Sequence, residues 1–168
     1  MAKAALQIRT LAVEDWDFVC SIYRAGITTG HATFETEAPD WTPWNNGHLP
    51  APRLVAISSQ SVVGWAALSA VSTRAVYAGV AEVSVYGAGE SRGLGIGRAL
   101  LATLIHESEM NGIWTLQASI FPENVASICL HKAGGFREVG RREHIGKMEG
   151  VWRDTILLER RSKLIGCD

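Results

Sequence analysis

The sequence predicts an α/β sandwich in which helices pack on a largely antiparallel sheet. Three observations indicate this fold class. Short β-like segments recur along the chain, and two of them flank a polar turn as in a hairpin. Stretches in which apolar residues recur at helical spacing lie between some of these segments. The 168 residues, 47% of them apolar and 20% charged, are enough to bury one core, so we expect a single domain over residues 1–168.

The first half of the chain is expected to form three strands and one long helix. Residues 6–9 predict a short strand, and residues 13–27 predict a helix with acidic residues in its first turn, where the helix dipole favours them. Residues 28–52 are rich in Gly, Pro, Asn and Thr, which predicts an irregular aromatic loop with room for one short helix. Residues 53–58 and 61–69 predict the antiparallel hairpin.

The second half is expected to alternate strands with two helices and to end in two strands. One helix is predicted over residues 98–111, because leucines line one face and Asn-Gly follows as a stop signal. The other opens after Pro122 and closes at a Gly-Gly pair. The strands are predicted over residues 81–87, 113–120, 136–145 and 151–160.

Composition and charge exclude several classes of function. A net charge of −1 provides no electrostatic footprint for nucleic acid or an anionic membrane. The three cysteines are scattered without a C-x-x-C pair, which argues against a disulfide framework or a zinc site and favours a reducing compartment. Neither a secretory signal nor a membrane-length apolar window is present. We therefore expect a cytoplasmic protein without a metal, nucleic acid or membrane partner.

The stretch ESRGLGIGRALL, residues 90–101, places three glycines directly before a helix. A Rossmann fingerprint needs a glycine where Arg98 stands, and a P-loop needs a Gly-Lys-Ser/Thr ending that is missing here. The stretch instead satisfies R-x-x-G-x-G at Arg92, Gly95 and Gly97. Because bare backbone before a helix exposes the free amides of the first turn, the pattern predicts a pyrophosphate site. The alternative is a turn that merely links strand and helix.

The strand before this loop has two chemically different faces. Along residues 81–86, apolar residues alternate with Glu82, Ser84 and Tyr86. The apolar set is expected to face the core, and the second set to face water or a cleft. Glu82 is therefore a candidate general base beside the pyrophosphate site, with an ordinary solvent-facing glutamate as the alternative.

The chain resembles the GCN5-related N-acetyltransferase (GNAT) superfamily over nearly its whole length. The resemblance rests on AEVSVYGAGESRGLGIGRALL followed by WTLQASIFPENVASICLHKAGGFREVG. Within the superfamily, TFETEAPDW, RAVYAGVAEVSVY and IFPENVASICLHKAGGF resemble the phosphinothricin and methionine-sulfoximine N-acetyltransferases, although GAGES and AGVAEVS depart locally from their patterns. The resemblance implies a GNAT fold: about seven mostly antiparallel strands, splayed at the centre and flanked by helices. It also implies acetyl-CoA as the co-substrate.

The resemblance implies specific roles around acetyl-CoA. Glu82 would deprotonate the acceptor amine, and Asn124 and Ser127 would contact the pantetheine, although Asn124 is also a plausible helix cap. His131 stands where many members have a tyrosine that protonates the thiolate, with a packed surface histidine as the equal alternative. The acetyl carbonyl and pantetheine would bind the backbone amides of Val85, Tyr86 and Gly87, and the pyrophosphate would bind Arg92, Gly93, Leu94, Gly95, Ile96, Gly97 and Arg98.

The narrower resemblance implies a small zwitterionic amino acid as the acceptor. Arg74 can fork two hydrogen bonds onto its carboxylate, with a surface loop arginine as the alternative. The expected acceptor-binding residues are Phe34, Glu35, Arg74, Tyr77, Glu82, Val83 and Ser84.

Three other functions stay open. The first is acetylation of a polyamine, an aminoglycoside or a protein N-terminus, and an acidic cleft at Glu35, Glu37 and Asp40 would suit a polycation. The second is a sensor that binds acetyl-CoA without catalysis, and the third is a different nucleotide-binding protein. A homodimer is expected from the family resemblance, with exposed aromatic residues and C-terminal edge strands as its surface.

Overall fold

The computed structural model describes residues 5–167 and contains a seven-stranded mixed sheet. Its spatial order is β1-β2-β3-β4-β5-β7-β6. In the described chain, β4 and β5 pair in parallel, whereas the other neighbouring strands pair in antiparallel fashion. The strands are β1 (Gln7–Thr10), β2 (Arg53–Ser58), β3 (Ser61–Ala70), β4 (Val80–Gly87), β5 (Thr115–Ile120), β6 (Arg137–Met148) and β7 (Val151–Arg161).

Helices cover both faces of the sheet, and the sheet separates two hydrophobic clusters. Leu100, Leu101 and Leu104 pack on one face with the interior side of β5 and β7. Val19 and Trp44 pack on the other face against Trp65 of β3. No helix within residues 5–167 has the length and apolarity needed to cross a bilayer. The helices are α1 (Trp16–Thr28), α2 (Trp41–Gly47), α3 (Ile96–Met110) and α4 (Val125–Ala133).

The predicted elements are present, with shifted boundaries. The helix α3 begins at Ile96, two residues before the predicted start, because Gly95 at φ 84° turns the chain directly into the first helical turn. The short α2 occupies the middle of the segment predicted to be mostly irregular, where Trp44 is buried. The strand β6 runs on to Met148, beyond its predicted end.

The sheet opens between β4 and β5. These strands pair at three rungs, the last of which joins Glu82 to Gln117. Beyond this rung, β4 continues to Gly87 and β5 to Ile120 with no further pairing between them in the described chain. At the closed end, the Gly79 carbonyl accepts hydrogen bonds from the N–H groups of Trp114 and Thr115, at 2.8 and 3.0 Å. The predicted central splay of the sheet is thus confirmed.

Candidate active site

A cavity of about 1000 Å³ occupies the opening between β4 and β5. It reaches both faces of the sheet, because loops from one side and helix termini from the other contribute to its wall. Its wall includes residues 31–34, 82–88, 95–98, 118–121 and 123–127. Most of the residues predicted for the site therefore lie around one space, at the point where the sheet divides.

Glu82 lies on the last rung before the strands part and is half-buried in the cavity wall. Its Oε2 accepts a hydrogen bond of 2.7 Å from Gln117 Nε2 on β5. This contact fixes one carboxylate oxygen against β5, on the rung where the strands part. Sequence reasoning missed Gln117, since its relation to Glu82 depends on which strand lies beside β4.

The backbone of β4 presents alternate amides to the opening. The Ala88 N–H donates to the Val63 carbonyl at 2.9 Å, and residues 81–87 of β4 pair with β3 without a shift of register. Hydrogen-bonded pairs alternate along an antiparallel ladder, so the Tyr86 N–H also points to β3. The N–H groups of Val85 and Gly87 point the other way, toward the gap. The expectation that the Tyr86 amide faces the acetyl group is therefore corrected.

The side chain of Tyr86 also differs from the expectation of an open face. Its ring stacks on Trp65 with a centroid distance of 4.7 Å and meets Tyr23 edge-on at 5.0 Å. Burial among these rings raises the pKa of Tyr86 well above its ordinary value. The second face of β4 is thus accessible at Glu82 and Ser84 but packed at Tyr86, which closes one end of the cavity.

The glycine loop, residues 88–95 between β4 and α3, leads to free backbone amides that face the cavity. Gly93 and Gly95 have φ values of 75° and 84°, and a Cβ on either would meet only open space. No described side chain caps α3, and its first backbone bond runs from the Ala99 N–H to the Gly95 carbonyl. The three preceding amides, at residues 96–98, are therefore left for an anion. This geometry fits the pyrophosphate of acetyl-CoA.

Asn124 caps α4 and also ties it to the loop across the cavity. Its Oδ1 accepts from the Ser127 N–H at 3.2 Å, and its Nδ2 donates to the His31 carbonyl at 3.2 Å. Asn124 and Ser127 both line the cavity. The capping role considered for Asn124 is therefore present, and its side-chain amide also positions the loop that closes the acceptor side.

His131 is buried rather than a packed surface residue. It is 4% exposed, its Nδ1 lies 2.8 Å from the Ser127 carbonyl, and its Nε2 has no hydrogen-bond partner among the described residues. Burial lowers the pKa of His131 despite the opposing effect of this backbone contact. Since Nδ1–H donates to the carbonyl, the neutral ring offers Nε2 as an acceptor. Proton donation by His131 would need the charged form that burial disfavours.

Four predicted residues lie outside the cavity wall: Glu35, Arg74, Tyr77 and Leu94. Arg74 and Tyr77 are exposed on the connection before β4, where the guanidinium carbon lies 5.6 Å from the Tyr77 ring centroid. Glu35 and Leu94 are exposed on their loops. Neighbouring Phe34 does line the cavity, and its ring meets Phe121 edge-on at 4.8 Å.

Comparison with known proteins identifies the class of enzyme. Residues 54–157 match the acetyltransferase (GNAT) domain, and this span runs from β2 into β7 and includes the glycine loop, α3 and α4. The protein is therefore an N-acetyltransferase that uses acetyl-CoA. It belongs to the GNAT family.

Two relatives match nearly the whole chain. It is 34% identical to a phosphinothricin N-acetyltransferase of Alcaligenes faecalis, over 95% of this chain and 84% of that protein. It is 33% identical to an L-methionine sulfoximine/L-methionine sulfone acetyltransferase of Pseudomonas aeruginosa, over 90% and 92% of the two chains.

Solved structures agree in fold. A phosphinothricin acetyltransferase from Sinorhizobium meliloti in complex with acetyl-CoA superposes with a TM-score of 0.83 at 32% identity, over 93% of this chain and 88% of that one. A ribosomal-protein-alanine N-acetyltransferase from Brucella melitensis superposes with a TM-score of 0.85 at 31% identity, over 93% and 99%.

Proposed function

We propose that this enzyme transfers the acetyl group of acetyl-CoA directly to the amine of a small amino acid, with Glu82 as the general base. The acceptor is of the phosphinothricin, methionine sulfoximine or methionine sulfone type, and residues 1–168 act as one N-acetyltransferase domain. The observation that carries the proposal is the half-buried Glu82 carboxylate in the cavity wall, on the rung where the sheet opens. The names of the relatives support the acceptor class.

The chemistry follows from what each group can do. Acetyl-CoA supplies an activated carbonyl. Glu82, oriented by Gln117, takes a proton from the acceptor ammonium directly or through one water, so that a neutral amine attacks. The N–H groups of Val85 and Gly87 face the gap and donate to the oxygen that gains charge. As the C–N bond forms, the thioester C–S bond breaks, and CoA leaves as a thiolate that takes up the second proton lost by the amine. The amides of residues 96–98, with the side chains of Arg92 and Arg98, hold the pyrophosphate.

The acceptor binds on the face of the sheet opposite the glycine loop. Phe34 and Phe121 form an aromatic wall there, and Ser84 lies on the same face of β4 as Glu82. We assign the acceptor carboxylate to Arg74, which lies on the exposed connection leading into β4. Val83 does not belong to this site, because its side chain packs in the cluster beneath α3 on the other face of the sheet. Glu35 and Tyr77, next to Phe34 and Arg74 but outside the cavity wall, form the outer rim of the proposed site.

The test of the base is Glu82→Gln, which keeps the shape and the contact with Gln117 but removes the proton acceptor. We expect kcat/KM for the amine to fall by about 10²- to 10⁴-fold, with acetyl-CoA affinity by calorimetry unchanged. Glu107→Gln, on α3 outside the cavity, is the matched control. Retention of near wild-type kcat/KM in Glu82→Gln would exclude Glu82 as the base.

The acceptor class is tested by release of free CoA against a panel of amines. The panel contains phosphinothricin, methionine sulfoximine, methionine sulfone, spermidine, an aminoglycoside and a peptide with N-terminal alanine. We expect turnover of at least one of the first three, with a raised KM for it in Arg74→Ala. Turnover of spermidine or the peptide alone would overturn the acceptor class, and bound acetyl-CoA without turnover would indicate a sensor.

We also propose that the enzyme is a cytoplasmic homodimer. The strand β6 is an edge strand, and Val151 and Trp152 at the start of β7 are 60% and 54% exposed. Such an apolar edge suits a second copy of the chain. Cys20, Cys129 and Cys167 are free thiols, in keeping with a reducing compartment. Sedimentation equilibrium at micromolar concentration tests the dimer, and a monomer there would contradict it.

A further inference from the structure

Thr155 on β7 carries a buried hydroxyl that has no hydrogen-bond partner. The residue is 3% exposed, and its Oγ1 contacts no donor or acceptor among the described residues. Buried hydroxyls in proteins are almost always satisfied, so an unpaired one needs an explanation. Thr155 lines the cavity between β4 and β5, where a bound molecule can supply the missing partner.

The hydroxyl belongs to the acceptor side of the cavity. The neighbouring Ile156 and the next residue but one, Leu158, point into the cluster beneath α3 and α4. Side chains alternate along a strand, so Thr155 points to the opposite face. The glycine loop leads into α3, on the face of the sheet to which Ile156 and Leu158 point. Thr155 instead shares its face with α1 and the loop that precedes Phe34.

The surroundings of Thr155 are aromatic or already hydrogen-bonded. The ladder between β5 and β7 ends with Ile120 opposite Ile156, so Phe121 and Thr155 are the next residues on the two strands. The Arg153 guanidinium lies 4.0 Å from the Phe121 ring centroid and donates to the Gly30 carbonyl at 3.2 Å. The Thr155 hydroxyl is therefore a free polar group beside the wall formed by Phe121 and Phe34.

The position of Thr155 along β7 indicates which part of the acceptor it meets. Gln117, the partner of Glu82, lies opposite Glu159 in the ladder between β5 and β7. Thr155 is four residues further along β7, about 13 Å at roughly 3.3 Å per residue. An acceptor with its amine near Glu82 therefore presents its opposite end to Thr155.

We propose that Thr155 Oγ1 hydrogen-bonds an oxygen on the acceptor tail, at the end away from the amine, and so favours acceptors with an oxygen-bearing tail. The proposal rests on the acetyltransferase function proposed above and adds a specificity-determining residue to it. A hydroxyl both donates and accepts, and it therefore suits a sulfone, sulfoximine or phosphinyl oxygen.

The experiment compares methionine sulfone with methionine, which has the same carbon chain but no tail oxygen, at saturating acetyl-CoA. In Thr155→Val, which replaces the hydroxyl by a methyl group of similar size, kcat/KM for methionine sulfone should fall by about 3- to 10-fold, the effect of one neutral hydrogen bond. The value for methionine and the KM for acetyl-CoA should not change. Thr155→Ser should keep the preference for the sulfone.

Thr103→Val is the matched control, because that hydroxyl donates to the Ala99 carbonyl on α3, outside the cavity wall. Thermal unfolding should show that Thr155→Val is at least as stable as the wild type, since the change removes an unpaired hydroxyl. If Thr155→Val keeps the wild-type preference for methionine sulfone, or loses kcat/KM equally for both acceptors, the role of Thr155 is overturned and the proposed acceptor class is not affected. A wild-type protein that acetylates none of phosphinothricin, methionine sulfoximine and methionine sulfone overturns the proposed acceptor class and this role together.

Discussion

At the scale of single residues, Asp15 shows how one buried carboxylate sets the start of α1. Its two oxygens accept hydrogen bonds from the Arg9 guanidinium at 2.7 and 2.8 Å, and one of them also accepts from the Ala12 N–H at 2.8 Å. The contact with Arg9 holds the pKa of Asp15 below its ordinary value, against the opposing effect of burial. The ionised form therefore stabilises the junction between β1 and α1.

Asp15→Asn should lower the free energy of unfolding by about 1–2 kcal/mol at pH 7, because it removes the ion pair with Arg9. The loss is no larger because the Arg9 side chain is partly exposed to solvent, which weakens the pair. The folded pKa is depressed, so this stabilisation is complete above the unfolded pKa of about 3.9 and is lost as the pH falls through the folded pKa. Urea unfolding at pH 7 and in acid measures it, with the exposed Asp17→Asn as the control. An equal difference from wild type at both pH values would contradict the prediction.

The residues of the site could be predicted from the sequence where their role depends on a local pattern. They could not be predicted where their role depends on the order of the strands in the sheet. The glycine loop and Glu82 follow from a motif and an alternation within one segment. Gln117 reaches Glu82, and Thr155 lines the cavity, because β5 lies beside β4 and β7 beside β5, which no local pattern encodes. The direction of the Tyr86 amide likewise depends on its register with β3.

At the scale of elements, the closed end of the splay depends on Gly79. A Cβ at this position would lie 2.0 Å from the Trp114 ring, so no larger residue fits without movement of β4 or of the ring. The Gly79 carbonyl also accepts the hydrogen bonds from the N–H groups of Trp114 and Thr115, with which the pairing to β5 begins. Since Glu82 lies three residues further on, the position of the carboxylate depends on this close approach.

Gly79→Ala should destabilise the protein by about 1–3 kcal/mol, the usual cost of overpacking, and should also reduce kcat. Gly47→Ala, at the end of α2 where a Cβ meets no atom within 4 Å, is the control and should be close to neutral. Urea unfolding and steady-state kinetics check both effects. A Gly79→Ala protein as stable and active as wild type would contradict the prediction and would show that the Trp114 ring moves aside at little energetic cost.

At the scale of the whole molecule, the fold joins two groups of strands through a short contact. The strands β1 to β4 lie on one side and β5, β7 and β6 on the other, and β4 and β5 meet at three rungs. The fold class was predicted correctly because hairpins and amphipathic helices are local features. That these two groups part beside Glu82 came from family resemblance and was confirmed by the pairing.

The opening between β4 and β5 should leave a signature in hydrogen–deuterium exchange. Ser84 and Tyr86 have N–H groups protected by β3, whereas those of Val85 and Gly87, beyond the last rung with β5, face the gap. Deuterium should therefore enter the amides of Val85 and Gly87 faster than those of Ser84 and Tyr86 in the free protein. Saturation with acetyl-CoA should slow Val85 and Gly87 and leave their neighbours unaffected. Uniform rates along β4 would mean that the strand opens as a unit.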